Sequence, residues 1–141
     1  MIITVDTNVF VGALLGPNGP SREVVRQCLE GHLYPLMGTS LFLEYEDVMS
    51  RPEISDRCLL SARERLELLD AFLSVCSWTR IFYGWRPNLR DEADNHLVEL
   101  SVAGNADALV TWNTADFVHA ELAFAGLRVL TPASLLSEEG R

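Results

Sequence analysis

Ile2-Ile3-Thr4-Val5-Asp6 decides how the rest of the chain is read. Four β-branched residues run without polar alternation and stop at an acid, as a parallel strand covered on both faces does. Outward from it, helical and extended patterns take turns. Pro20-Ser21 introduces a helix over 23–29 with Val24, Val25, Cys28 and Leu29 on one face and Ser21 as its N-cap. Residues 33–37 read as a second strand, weakened by Pro35, and Ser40 caps a helix over 41–50 that Pro52 stops. Ser61 stands three residues before Glu64, a capping box for a helix over 61–76 with Leu66, Leu69, Leu73 and Cys76 along one stripe. A third strand is expected over 78–83, then a Gly-Trp-Arg-Pro-Asn loop and a helix over 90–103 ending at Gly104. Strands over 108–111 and 127–130 bracket a helix over 115–124, and Pro132 opens a last helix as its first residue. The alternation predicts one α/β domain over residues 1–141, an open and mostly parallel sheet with helices on both faces. Such a sheet binds ligands beyond the carboxyl ends of its strands, where the strand order reverses.

With 141 residues the chain can bury about two-thirds of the surface its unfolded form exposes. Hydrophobic residues are 48% and charged residues 22%, which excludes disorder. Eleven basic against twenty acidic residues give −9, so no face-wide basic field can coat nucleic acid. That balance also predicts few, local phosphate contacts and a shallow salt dependence of any RNA binding. All eleven basic residues are arginine. Without lysine, Schiff-base chemistry and a P-loop are excluded, and dehalogenase-type phosphatases and receiver domains fit poorly. Cys28, Cys58 and Cys76 are widely spaced and form no CxxC pair, so they read as small core residues. The apolar N-terminus lacks a basic leader, and no apolar run nears the ~18 residues of a membrane helix, so a cytoplasmic protein without membrane attachment is expected.

Asp6 ends the first strand and Asp116 follows the fourth, so neighbouring strands would open both carboxylates into one crevice. Glu44 lies on the helix after the second strand, and Asp94, with Asp91 a turn before it, starts the helix before the fourth. Two like charges 4 Å apart repel by about 4 kcal/mol at an effective dielectric of 20, so gathered acids need cations or protons. Hard oxygen donors suit Mg²⁺ or Mn²⁺, and a pair of such ions can activate an attacking water and stabilise a leaving oxygen at a phosphodiester. Spacing alone leaves a second reading open. Asp91, Glu92 and Asp94 are also ordinary first-turn acids, and Glu44, Glu46 and Asp47 also form a solvated face.

Val5-Asp6-Thr7-Asn8-Val9 after an N-terminal strand resembles the opening motif of the PIN-domain ribonucleases. Ser40, then Glu44-Tyr45-Glu46-Asp47-Val48 and Arg51-Pro52, resembles the second motif, and Asp91-Glu92-Ala93-Asp94-Asn95-His96 the third. Ala106 to Asn113 followed by Asp116-Phe117 is similar to the fourth, and the four come in the family's order across almost the whole chain. The resemblance implies a PIN-like, Rossmann-like three-layer α/β sandwich and an Mg²⁺- or Mn²⁺-dependent endoribonuclease. Asp6, Glu44, Asp94 and Asp116 would be its catalytic acids and metal ligands. Many small members are VapC-type toxins held by a protein antitoxin and often dimeric, which implies an RNA substrate, an antitoxin partner and a homodimer. Many relatives carry an aspartate where this chain has Asn113, leaving Asp116 as the one acid of the fourth motif. The alternatives are an inactive PIN-fold RNA-binding module and a housekeeping RNA- or DNA-processing nuclease.

Asn8, Thr111 and Asn113 are supporting candidates, and Thr7 is expected to divide its duty between the site and the next helix. Arg22 with Arg26, and Arg80, Arg86 and Arg90 around Trp85, read either as RNA contacts or as solvated arginines. Trp112 is the better stacking candidate, with buried packing as the competing reading, while His96 and His119 read as structural. Leu41, Phe42, Tyr45, Val48 and Met49 form a wide apolar surface that core packing largely explains.

Overall fold

The N-terminal β-branched run forms β1 (Ile2–Val5), in which Ile3 and Val5 are fully buried and Thr4 with them. Both faces of this strand are therefore covered, as the unbroken apolar run requires. The computed structural model describes residues 1–81, 92–124 and 126–139, the side chains of 92–94 and 139 excepted. After β1 come α1 (Thr7–Leu15), α2 (Pro20–Leu29), β2 (Tyr34–Met37), α3 (Thr39–Met49), α4 (Pro52–Ser55) and α5 (Ala62–Val75). Then follow β3 (Ser77–Trp78), α6 (Glu92–Ala103), β4 (Ala108–Val110), a 3₁₀ turn (Thr114–Phe117), α7 (Val118–Ala123), β5 (Arg128–Leu130) and α8 (Pro132–Glu139).

The five strands are parallel in the order β3-β2-β1-β4-β5. Ile3, Thr4 and Val5 face Ala108, Leu109 and Val110 in register. The chain builds leftward from β1 through β2 and β3, then returns to lay β4 against the other side of β1. The order reverses between β1 and β4, so the ligand-binding crevice of an open α/β sheet falls at their carboxyl ends. Helices flank the sheet to give a three-layer α/β sandwich. No helix among the described residues is long and apolar enough to cross a membrane.

Two contacts hold the site's elements on the sheet. Tyr45 of α3 is fully buried among Phe10 and Phe72, with ring centroids 5.0 and 6.1 Å away, and its hydroxyl donates to the Val5 carbonyl at 2.6 Å. That bond satisfies the phenol in the core and fixes α3 against the last residue of β1. On α6, buried Ser101 donates its hydroxyl hydrogen to the Leu97 carbonyl at 2.7 Å and accepts from the Thr4 hydroxyl of β1 at 2.9 Å. Cys28 and Cys76 sit among the apolar residues, and burial pushes both thiols up to about 12, leaving them protonated and inert at neutral pH.

Several local expectations are corrected. Gly19 and Gly38, not Ser21 and Ser40, stand at the N-caps of α2 and α3, because the helices begin earlier, at Pro20 and Thr39. Pro20 supplies a preset φ at the first helical position, and Ser21 is left buried for another use. The capping box of Ser61 and Glu64 forms in both directions, yet Leu66 on the expected stripe is 56% exposed. The third strand is two residues, Ser77–Trp78, with one neighbour among the described residues, and its last ladder bond runs from the Thr79 N–H to the Met37 carbonyl at 2.8 Å. Residues 82–83 of that expectation, with Trp85, Arg86 and Arg90, lie outside the described residues. The helix expected over 115–124 is split into the 3₁₀ turn and α7, which lets Phe117 bury at the joint.

Candidate active site at the carboxyl ends of β1 and β4

Asp6 follows β1 directly, and its backbone N–H donates to the Val110 carbonyl at 2.9 Å, continuing the ladder with β4. The residue is 7% exposed and sits at the N-cap of α1, yet its side chain makes no capping bond there. Instead Oδ2 accepts from the Thr111 hydroxyl at 2.8 Å. Thr111 is itself fully used: its oxygen also accepts from Asn8 Nδ2 at 3.3 Å and from the Asn113 N–H at 3.1 Å. A hydroxyl has one hydrogen and two lone pairs, so those two donors leave the hydrogen to point at Asp6. Asn8 in turn accepts from the Trp112 N–H at 3.2 Å. Asn8, Thr111 and Asn113 thus form one network behind Asp6.

Glu44 reaches the same end of the sheet from α3, one residue before the anchored Tyr45. The Thr7 hydroxyl donates to its Oε1 at 2.6 Å, and His96 Nε2 lies 2.8 Å from its Oε2. A carboxylate only accepts, so the His96 Nε2–H is the donor. Among the described residues each oxygen thus accepts one hydrogen bond. His96 Nδ1 and the neighbouring Asn95 Oδ1 are buried with no hydrogen-bond partner among the described residues.

The two carboxyls are shifted in opposite senses. Burial, chiefly, pushes Asp6 above the ordinary aspartate range, and the charge of Glu44 adds to it against the Thr111 bond. Glu44 is held below the ordinary glutamate range, first by the His96 hydrogen bond and then by Thr7, with burial opposing. The fold therefore keeps one acid that resists ionisation beside one that is stabilised as an anion.

Of the other candidates, Asp94 falls in the first turn of α6 but its side chain, like all of Asp91, lies outside the described residues. Asp116 lies in the 3₁₀ turn and is exposed, without a side-chain bond to Asp6 or Glu44 among the described residues. Sequence reasoning, which reads His96 as structural, misses its contact with Glu44. Two residues after Asp94, the His96 ring turns toward α3, and the signal that could have found it is the acid on a separate helix needing a donor. Arg26 pairs with Glu23 and Glu30, and Arg22 donates to the Ala13 carbonyl at 2.7 Å, so both serve the α1–α2 surface.

A PIN domain is matched over residues 3–115, which spans β1 through the crevice to the turn after β4. The chain belongs to the PIN-domain family. PIN domains are generally nucleases and typically use divalent metal ions. No curated protein matches this PIN domain. Among solved structures, it is similar to a chain of VapBC2 from Rickettsia felis bound to a DNA fragment from their promoter. That match has a TM-score of 0.61 at 16% identity, covering 93% of this chain and 98% of that one, and is a likeness of fold.

Among the described residues no group of three or more His, Cys, Asp or Glu side chains is gathered to hold a metal ion. The donor chemistry nevertheless fits a small hard cation. Mg²⁺ is usually bound through one or two carboxylates, keeping water and phosphate oxygens as its remaining ligands. The PIN domain offers two hard carboxylates from separate elements, one disfavoured as a bare anion.

Proposed function

We propose that the protein is a metal-dependent endoribonuclease, one domain over residues 1–141, and the toxin of a toxin–antitoxin pair. The observation that carries the reading is the buried Asp6 carboxyl at the strand-order reversal of a PIN fold, facing the charge of Glu44. Asp6 and Glu44, with Asp94 and Asp116 from the flanking segments, would hold Mg²⁺ or Mn²⁺, and Asn8, Thr111 and Asn113 support them. A divalent ion there supplies positive charge that lowers the pKa of an attacking water and offsets the charge of the phosphodiester.

The chain's own residues do the positioning. Thr111 orients Asp6 by donating its only hydrogen to it, and Thr7 and His96 hold the two oxygens of Glu44. Burial of Asp6 disfavours its anion until a cation arrives, which makes the site responsive to the ion. A protein antitoxin as partner is supported by the fold likeness to a chain of the VapBC2 complex, and a homodimer in the cytoplasm is part of the same reading.

A cleavage time course on mixed structured and unstructured RNA with Mg²⁺, Mn²⁺ or EDTA tests this. Cutting is expected with either ion and lost in EDTA. Cutting that is equal in EDTA would overturn the metal-dependent reading, and none with either ion would favour an RNA-binding PIN fold without turnover. Growth arrest on expression, relieved by a co-encoded neighbour, is the expected mark of a toxin and separates it from a processing nuclease.

A further inference from the structure

Trp112 is the first residue beyond Thr111, the hydroxyl that touches Asp6, and it is 42% exposed. Tryptophan is ordinarily well buried, and an exposed indole forgoes the burial of a large apolar surface. This ring is not loose. Its indole N–H donates to Ser21 Oγ at 2.9 Å, and its backbone N–H donates to Asn8 Oδ1 at 3.2 Å. Ser21 is buried under α1, where Gly12 makes the seat: a Cβ at Gly12 would meet Ser21 Oγ at 2.6 Å and stand 3.6 Å from the indole nitrogen. Gly12 and Ser21 hold the polar edge of the ring, Asn8 holds its backbone, and the residue stays 42% exposed.

We infer that Trp112 is a stacking site for an unpaired RNA base beside the Asp6 crevice, an inference that rests on the ribonuclease reading. Two observations choose the occupant. Trp112 directly follows Thr111, the hydroxyl on the candidate catalytic acid, and Asn8 bonds both residues, so the indole borders the network behind Asp6. The chain carries −9, which repels phosphates and leaves little electrostatic attraction to hold RNA. Affinity then has to come from groups that do not depend on charge, and a base on an aromatic face is one. Clamping the ring before binding lowers the ordering cost of the stack. It also favours a single strand over a duplex, whose bases present no free face.

Intrinsic fluorescence of the full chain carrying Trp78→Phe and Trp85→Phe, in which Trp112 is the one indole, reads the contact directly. Titration in EDTA with a short single-stranded RNA is expected to quench it. An abasic chain of the same length and charge is expected to leave it unchanged. In cleavage assays, Trp112→Leu is expected to raise KM about tenfold with kcat within about twofold, and Trp112→Phe to recover most of that loss. Ser21→Ala, which frees the ring without removing it, is expected to fall between. Equal quenching by the abasic chain, or an unchanged KM in Trp112→Leu, overturns the stacking site while metal-dependent cutting by the wild type leaves the nuclease reading standing. Base-dependent quenching in a protein that cuts no RNA with any divalent ion overturns the nuclease reading and sustains the stacking site. Absence of both overturns the two together.

Discussion

Asp6 and Asp107 stand at opposite ends of the same pair of strands and live under opposite physics. At the amino end of β4, Asp107 is exposed, takes the Ile2 N–H at 2.8 Å on its carboxylate, and donates its own N–H to the Ile2 carbonyl at 2.7 Å. It ties β1 to β4 while its charge stays in water. At the carboxyl end, Asp6 is buried, divides its carboxylate between the Thr111 hydroxyl and the Thr7 backbone N–H, and is pushed toward protonation by that burial. An aspartate of the first kind serves the fold. One of the second kind costs the fold stability, and its retention is explained by chemistry that needs it there.

The comparison sharpens under mutation. The largest expected effect is in Glu44→Ala, which should lower cleavage about a thousandfold, roughly 4 kcal/mol of transition-state stabilisation. His96→Leu keeps both carboxyls but releases Glu44 Oε2, and a loss of about ten- to a hundredfold in single-turnover rate is expected. Tyr45→Phe should cost about 1–2 kcal/mol in denaturant unfolding, because the Val5 carbonyl loses its buried donor next to Asp6. The smallest effect belongs to the other end: Asp107→Ala should cost about 0.5–1 kcal/mol and leave cleavage unchanged. A loss of cleavage in that variant would break the division between the two ends.

The sequence made the sheet legible where strands are buried on both faces, since β1 is a β-branched run and β4 an apolar one, each bounded by acids and turns. It was less legible at the edge. Residues 78–83 look extended, but among the described residues the strand is Ser77–Trp78 with a last bond from the Thr79 N–H, because edge residues gain ladder bonds on one side alone. Ser21 illustrates a second limit. Serine beside proline signals a cap from local chemistry, and its actual partner is an indole ninety-one residues away. His96 follows the same pattern, since its meaning depends on α3 packing against α6 and not on its own helix. Asp6 and Glu44 were found by motif and order, whereas the opposed shifts of their acidities come from burial and partners that only the fold supplies.

Asp6→Asn, assayed for cleavage and thermal stability on the same sample across pH, tests the central claim most directly. A carboxyl raised in the folded state binds its proton more tightly folded than unfolded, so ionising it favours unfolding. Wild type and variant should match in stability below the ordinary aspartate range. As pH rises through that value toward the raised one, the wild type should lose ground and then hold a constant deficit, read as a lower Tm than the variant's. The account predicts a variant that is more stable at neutral pH and has lost metal-dependent cleavage. Full cleavage at saturating Mg²⁺, or a variant less stable than the wild type at neutral pH, would contradict it.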